Sequence, residues 1–319
     1  MKDQTNILDR AKKQIDLAAF TTFGLAGRAD LLFETAKPAE LIEAVKEAKK
    51  RHLPYFVMAG GSNIVPGGKN YPGLVIVYRS AVHGTQILNG KGSSEQIEIS
   101  VPASAYLEEV VPFTLEHGLA GLESLSGIPG TVGGAIYGNA GAYGHSISEA
   151  VSRVLIFDGR KDRWLTAKDC GFSYRESIFK QNKWLILEVR LKLTKGKRED
   201  LLAYYQKLLK LRGEKYSGIK CPGSFFKNVL VSTVSKKALG SVDQTKIIDG
   251  KIPAGYLLAE VGAKGMRIGG LRIADYHGNL IINDGSGTPR DVKKLVKILK
   301  AKVKDKFGIK LEEEIRYLI

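Results

Sequence analysis

GLESLSGIPGTVGGAIYGNAGAYG, residues 121–144, places eight glycines in 24 positions: 121, 127, 130, 133, 134, 138, 141 and 144. Glycine loses more backbone entropy on folding than any other residue, so such density needs a reason. A chain that must turn through positive φ and lie directly against a ligand supplies one, because successive N–H groups in such loops form concavities for anions, pyrophosphate included. Glycine in ordinary irregular turns is the plainer alternative. A second loop of the same character, Gly60-Gly61-Ser62-Asn63 with Gly67-Gly68 soon after, follows an apolar run ending at Ala59. Two phosphate-cradling loops suit a dinucleotide better than a mononucleotide. Neither loop reads G-x-G-x-x-G between a strand and a helix, and no G-x-x-x-x-G-K-[ST] occurs, so the Rossmann and P-loop signatures are absent.

Outward from these loops the chain alternates strand and helix patterns. Residues 30–59 read as a βαβ unit: Leu31-Leu32-Phe33 as a strand, a helix opened by Pro38 with Leu41, Ile42, Val45 and Ala48 inward, then Leu53 to Ala59 as a buried strand. The connecting helix makes direct parallel pairing with a right-handed crossover the expectation. Leu74 to Tyr78 continues the sheet. Residues 96–101 alternate as a half-buried strand, and Leu107 to His117 reads as a short helix despite Pro112. Val151–Asp158 and Trp164–Thr166 form a hairpin around Asp158-Gly159, and Trp184–Leu193 is a further strand. A polar break at Lys195–Arg198 marks a domain boundary. Residues 199–212 follow as a helix with Leu201, Leu202, Tyr205, Leu208 and Leu209 inward. In 290–307, Val292, Leu295, Val296, Leu299 and Val303 recur at helical spacing.

Length and composition bound the classes. The 319 residues are 44% hydrophobic and 26% charged, which excludes disorder and gives material for two or three cores. Two cysteines, Cys170 and Cys221, cannot staple a chain of this size and point to a reducing compartment. No run approaches the ~18 apolar residues of a membrane span, and the N-terminal stretch lacks a secretory pattern. The expectation is a cytoplasmic protein, not a membrane protein. Charge is uneven: basic exceed acidic residues by 3 over 1–194 and by 13 over 195–319. That excess suits phosphate-bearing partners, although many of these lysines fall on the solvent face of the 290–307 helix. No zinc-finger spacing or RNA-binding signature accompanies it, so no nucleic acid is expected. His52, His83, His117, His145 and His277 show no metal spacing, and no metal is expected.

Seven segments now stand in order: TTFGLAGRAD (21–30), AGGSN (59–63), SLSGIPGTVGGAIYGNAGAYG (124–144), FSYRESIFK (172–180), CPGSFFKN (221–228), GYLLAEVGAKGMRIGG (255–270) and LEEEIR (311–316). Together they resemble the UDP-N-acetylenolpyruvoylglucosamine reductase family over roughly 15–317. Singly these motifs are weak; as an ordered set they are specific. The resemblance implies an α+β chain whose FAD-binding fold is of the vanillyl-alcohol-oxidase type. Its two α/β subdomains are expected at 15–80 and 81–196, and an α+β substrate domain at 197–319. It implies noncovalent FAD held by Ala59, Gly60, Gly61, Ser62 and Asn63. The 121–144 stretch contributes Gly127, Ile128, Pro129, Gly130, Gly133, Gly134, Asn139, Ala140, Gly141 and Ala142.

The implied reaction reduces an enol ether conjugated to a carboxylate, in UDP-N-acetylglucosamine enolpyruvate, with NADPH as reductant and UDP-N-acetylmuramate for peptidoglycan as product. Such chemistry needs a cation against the carboxylate, where charge develops, and a proton donor for the α-carbon. By resemblance these are Arg175 and Ser224, with Glu314 polarising the developing enolate. Spacing alone does not separate Glu312, Glu313 and Glu314; Glu314 directly precedes the Ile-Arg that closes the motif. Tyr174, Lys215, Lys227, Asn228, Lys264 and Arg316 are the implied substrate contacts, and a monomer is expected.

Three departures from the family pattern stand out. The short stretch from Arg175 to Ser224 matches the variety without a tyrosine-bearing insertion. Residues 229–251 are long for that variety and read either as a surface loop or as a replacement lid. Pro66-Gly67-Gly68 stands where a leucine-rich turn is usual. Two other readings remain: an FAD-linked oxidase of a hydroxy acid or sugar lactone, and a nucleic-acid binder exploiting a pI near 9.6.

Overall fold

YPGLVIVY, the strand Tyr71–Tyr78, is buried at every position but Pro72. In the computed structural model, which describes residues 6–68, 70–82, 84–88 and 95–319, this run takes an interior place in a four-stranded sheet. His83 and residues 1–5 of the N-terminal stretch lie outside the described residues. The sheet order is Lys12–Asp16, Arg28–Thr35, Tyr71–Tyr78, Tyr55–Met58. Tyr55–Met58 pairs in parallel with Tyr71–Tyr78, Tyr55 opposite Leu74 and Met58 opposite Val77. The expected direct pairing across the Pro38 helix is therefore corrected: a third strand lies between the two. The physical reason is burial. A continuous apolar run needs a neighbour on each side, whereas Tyr55–Met58 is half-exposed and tolerates the edge.

The connecting helix, Pro38–Lys50, buries Leu41, Ala44, Val45 and Ala48. That is the i, i+3, i+4, i+7 stripe, and Ile42 falls beside it, half-buried. It packs on a core with Ile7, Leu8, Phe33, Leu74, Ile76 and Tyr78.

A second sheet is ordered Asp162–Thr166, Val151–Phe157, Leu185–Lys195, Gln96–Pro102, Gln86–Ile87, with Leu119–Ala120 on the end of Leu185–Lys195. Leu185–Lys195 and Gln96–Pro102 alternate buried and exposed, so one face carries the core. Ile97, Ile99 and Val101 meet Val110, Val111 and Leu115 of the Leu107–Glu116 helix there, together with Val132 and Ile136 of the Val132–Gly138 helix. Pro112 sits inside its helix without ending it. The Arg198–Tyr216 helix buries only Leu208 fully; Leu201, Leu202 and Tyr205 pack partly against this core.

The chain divides into two compact units. The first comprises 1–13, 31–60 and 72–217 and holds the two cores above; the second comprises 14–30, 61–71 and 218–319. In the second unit, Val292, Leu295, Val296, Leu299, Val303 and Phe307 of the Pro289–Phe307 helix pack with Phe23, Leu25, Val65, Phe225 and Phe226. Thr288 and Asp291 close a capping box at the start of that helix, and Gly308 ends it at φ 68°. Residues 229–251 carry secondary structure of their own. Val229–Leu230 pairs antiparallel with Lys251–Ile252, and the excursion buries Ala238 and Val242 in the same core. The last strand, Arg316–Leu318, pairs in parallel with Ile64–Pro66, which explains the departure at Pro66-Gly67: Gly67 N–H donates to Leu318 O at 2.8 Å.

Candidate active site

Two glycine loops approach each other backbone to backbone in the first unit. A Cβ on Gly60 would stand 3.0 Å from Gly130 Cα, and one on Gly133 would stand 2.9 Å from Ala103 O. Gly127 and Gly130 have φ of 67° and 114°, a region that favours glycine. Thr131 caps the Val132–Gly138 helix by accepting the Gly134 N–H at 3.2 Å. Beyond that cap, Ile128 N–H donates to Leu125 O, and Ala140 N–H to Ala135 O. A Cβ on Gly138 would meet nothing within 4 Å, so the space there is open. Gly141–Ala142 pairs with His145–Ser146 in a short hairpin.

Asn139 is 4% exposed and ends the helix in the left-handed region, φ 43°. Its amide donates to Ser173 O at 2.8 Å and its Oδ1 accepts Ser148 N–H at 3.3 Å. The side chain thus orders the loop rather than pointing out of it.

Arg175 sits on this ordered backbone. Ser173 and Glu176 exchange two N–H···O bonds at 3.1 Å, so Tyr174 and Arg175 form the tip of a tight turn, with Arg175 at φ 57°. A non-glycine residue there stores strain of about 1 kcal/mol or more, which surrounding contacts must offset. The guanidinium supplies them: Nη2 donates to Gly141 O at 2.6 Å and Nη1 to Asn139 O at 3.4 Å. It also lies 5.4 Å from the centre of the Tyr174 ring. Lys180 Nζ donates to Arg175 O and pairs with Glu176.

In the second unit the structure brings the segments of Ser224 and Glu314 side by side. Phe226 bridges Glu313 antiparallel, Glu314 N–H donates to Phe225 O at 2.9 Å, and Lys227 N–H donates to Glu312 O at 2.9 Å. Ser224 itself is half-buried and bridges Leu280. The three glutamates are now distinct. Glu312, with a 72% exposed side chain, pairs with Lys227. Glu313 pairs with Lys300, and burial, seconded by the Glu313 carboxylate, pushes the Tyr317 hydroxyl well above the ordinary tyrosine range. Glu314 is held through its peptide: its carbonyl accepts the Asn63 amide at 3.0 Å, and the next N–H but one, from Arg316, donates to Asn63 O at 2.9 Å.

The remaining expected contacts are dispersed. Lys227 is 8% exposed; Asn228 Oδ1 accepts Ala254 N–H at 3.1 Å, at the start of the Ala254–Glu260 helix. Lys264 is exposed on a turn, and Lys215, in the first unit, lies 5.3 Å from the Tyr216 ring centre. Asn279 was not foreseen. It is 2% exposed and binds both edges of the Phe226 peptide, accepting N–H at 2.9 Å and donating to O at 2.8 Å. Its only sequence signal, an Asn after Gly278, reads as a turn residue. Among the described residues, no group of three or more His, Cys, Asp or Glu is arranged to hold a metal ion, and no helix is long and apolar enough to cross a membrane.

The chain matches the family model described as the C-terminal domain of UDP-N-acetylenolpyruvoylglucosamine reductase over 215–318, and the model described as an FAD binding domain over 29–160. It is 41% identical over 304 residues to a UDP-N-acetylenolpyruvoylglucosamine reductase of Solibacter usitatus, covering 95% of both chains. The chain belongs to the UDP-N-acetylenolpyruvoylglucosamine reductase family. A reductase of that name from Bacillus thuringiensis is 33% identical, over 95% of this chain and 92% of its own. The crystal structure of the reductase from Thermus caldophilus superposes with TM-score 0.73 at 30% identity, covering 97% of this chain and 98% of that one. The protein is accordingly an FAD-dependent oxidoreductase with the α+β, vanillyl-alcohol-oxidase type of FAD-binding fold. The residues present fit that cofactor: Gly127 and Gly130 take positive φ, and Gly60 and Gly130 approach too closely for side chains, which leaves a cradle of bare peptide groups of the kind that binds a diphosphate.

Proposed function

We propose that this protein reduces UDP-N-acetylglucosamine enolpyruvate to UDP-N-acetylmuramate, a precursor of peptidoglycan, using NADPH. The observation that carries this reading is the pairing of the Ser224 and Glu314 segments through the 2.9 Å bond from Glu314 N–H to Phe225 O, which joins two otherwise distant motifs. Bound FAD, reduced by NADPH, would supply the hydride for the β-carbon of the enolpyruvyl group.

The chain's own residues carry the rest. Arg175 faces the substrate carboxylate, where a planar guanidinium matches two oxygens, its orientation set by Gly141 and Asn139. The Ser224 hydroxyl delivers a proton to the α-carbon. Glu314 polarises the developing enolate through a shared proton. Tyr174, Lys215, Lys227, Asn228, Lys264 and Arg316 hold the nucleotide phosphates and carboxylate. The 15–80 and 81–196 segments serve the cofactor and 197–319 the substrate, in a cytoplasmic monomer. The excess of basic over acidic residues in 195–319 favours NADPH over NADH through its extra phosphate. An oxidase reading lacks support, because no histidine stands in the motifs of Arg175, Ser224 or Glu314 to abstract a proton.

The test is anaerobic mixing of the yellow protein with NADPH. The colour should bleach and return when the enolpyruvyl nucleotide is added. Oxygen consumption with a sugar acid and no NADPH would support the oxidase instead.

A further inference from the structure

The Glu314 peptide is fixed from both sides. Its N–H is bound by Phe225 O, on the segment of Ser224, and its C=O by the Asn63 side-chain amide. Asn63 closes the glycine loop assigned to the FAD phosphates and leads directly into Ile64–Pro66, which pairs residue for residue with Arg316–Leu318. The loop is anchored further: Thr22 N–H donates to Gly61 O at 3.4 Å, and Thr22 Oγ1 to Cys221 O at 2.9 Å, three residues before Ser224. All these contacts lie within the second unit.

We propose that Asn63 is a positioning residue, whose side-chain amide couples occupancy of the flavin phosphate loop to placement of Glu314. This rests on the reading of Glu314 given above and adds a residue to it. A loop that closes on a diphosphate loses backbone freedom, and a hydrogen bond from its last residue passes that restraint to the partner peptide. The donor has to be an amide. An aspartate of the same shape offers only acceptors to the Glu314 carbonyl, and an alanine offers nothing. Coupling of this kind leaves Glu314 loosely held in apoprotein and fixes it once cofactor is bound.

The experiment compares wild type with Asn63→Asp and Asn63→Ala by amide hydrogen exchange of the 310–318 segment, in apoprotein and at saturating FAD. In wild type, FAD should slow exchange at Glu314 and Arg316; in both variants the FAD-dependent slowing should disappear. Flavin re-oxidation by the enolpyruvyl nucleotide should then be slower by about 10–100-fold, the scale of a misplaced catalytic group. In a Glu314→Gln background, Asn63→Ala should cost little more, because the two changes remove one function. Equal FAD-dependent protection in wild type and variants overturns the proposal. So does a multiplicative loss in the double variant, or a variant that takes up no FAD while its apoprotein exchange is unchanged. Wild-type re-oxidation by Glu314→Gln alone would instead reject the Glu314 assignment and leave the exchange result to judge Asn63.

Discussion

Asn279 holds Phe226 by both edges of its peptide, at 2.9 and 2.8 Å, and its own carbonyl accepts the Phe225 N–H at 3.0 Å. A buried amide here stands in for the strand that would otherwise pair with the segment after Ser224. Replacement by leucine leaves a buried N–H and C=O without their partner, at about 1–3 kcal/mol for each unsatisfied group. Asn279→Leu should therefore lower the urea midpoint without changing the slope of unfolding. An unchanged midpoint would show that water replaces the amide at no cost.

The close approach of Gly60 to Gly130 predicts which substitutions empty the protein of flavin. Gly130 adopts φ 114°, and a Cβ on Gly60 would stand 3.0 Å from it. Gly130→Val should purify colourless and gain no thermal stability on FAD addition. Wild type should gain about 2.7 kcal/mol at FAD one hundredfold above its dissociation constant. Full retention of yellow colour by the variant would count against the cradle.

Tyr317 gives a prediction at high pH. Burial first, and then the Glu313 carboxylate, raise the hydroxyl's pKa, so the neutral form is favoured in the folded state. A raised acid contributes stability that is full below the unfolded value near 10 and is lost as pH climbs past it. Glu313→Gln should lower the Tyr317 titration seen in ultraviolet absorbance yet leave it above the free value, since burial remains. A titration that does not move would remove Glu313 from the causes.

Acid acts through Glu40. Its carboxylate accepts Thr35 Oγ1 at 2.7 Å and Arg10 Nη1 at 3.2 Å, and the Thr35 bond is the first cause of its lowered pKa. A depressed carboxylate contributes stability above the unfolded value of 4.5 that is lost as pH falls through the folded value. Thr35→Val should raise the Glu40 pKa measured by NMR and shrink the loss of stability between pH 5 and about 3. Equal acid profiles for both proteins would contradict this.

Much of the architecture was legible because periodicity reports burial. Val292, Leu295, Val296, Leu299 and Val303 are all buried on one helix, as their spacing requires, and Gln96–Pro102 alternates as written. Strand order was not legible. Nothing local in Tyr55–Met58 says that Tyr71–Tyr78 will lie between it and Arg28–Thr35, because sheet order is settled by competition for two-sided burial. The excursion 229–251 was open for a similar reason: Ala238 and Val242 are too sparse to announce a core contribution. At the candidate site, glycine density exposed the loops, whereas the supports of Glu314 lie 251 residues away at Asn63 and are invisible in sequence. Glu312, Glu313 and Glu314 separate only when their partners are seen.

The most direct test of the account is single-turnover oxidation of Ser224→Ala. Under anaerobic conditions NADPH should bleach the variant's flavin, and the enolpyruvyl nucleotide should then return the colour slower than wild type by about 10²–10⁴-fold, the range for losing a positioned proton donor. Return of colour at the wild-type rate would contradict the assignment of Ser224 and the mechanism built on it.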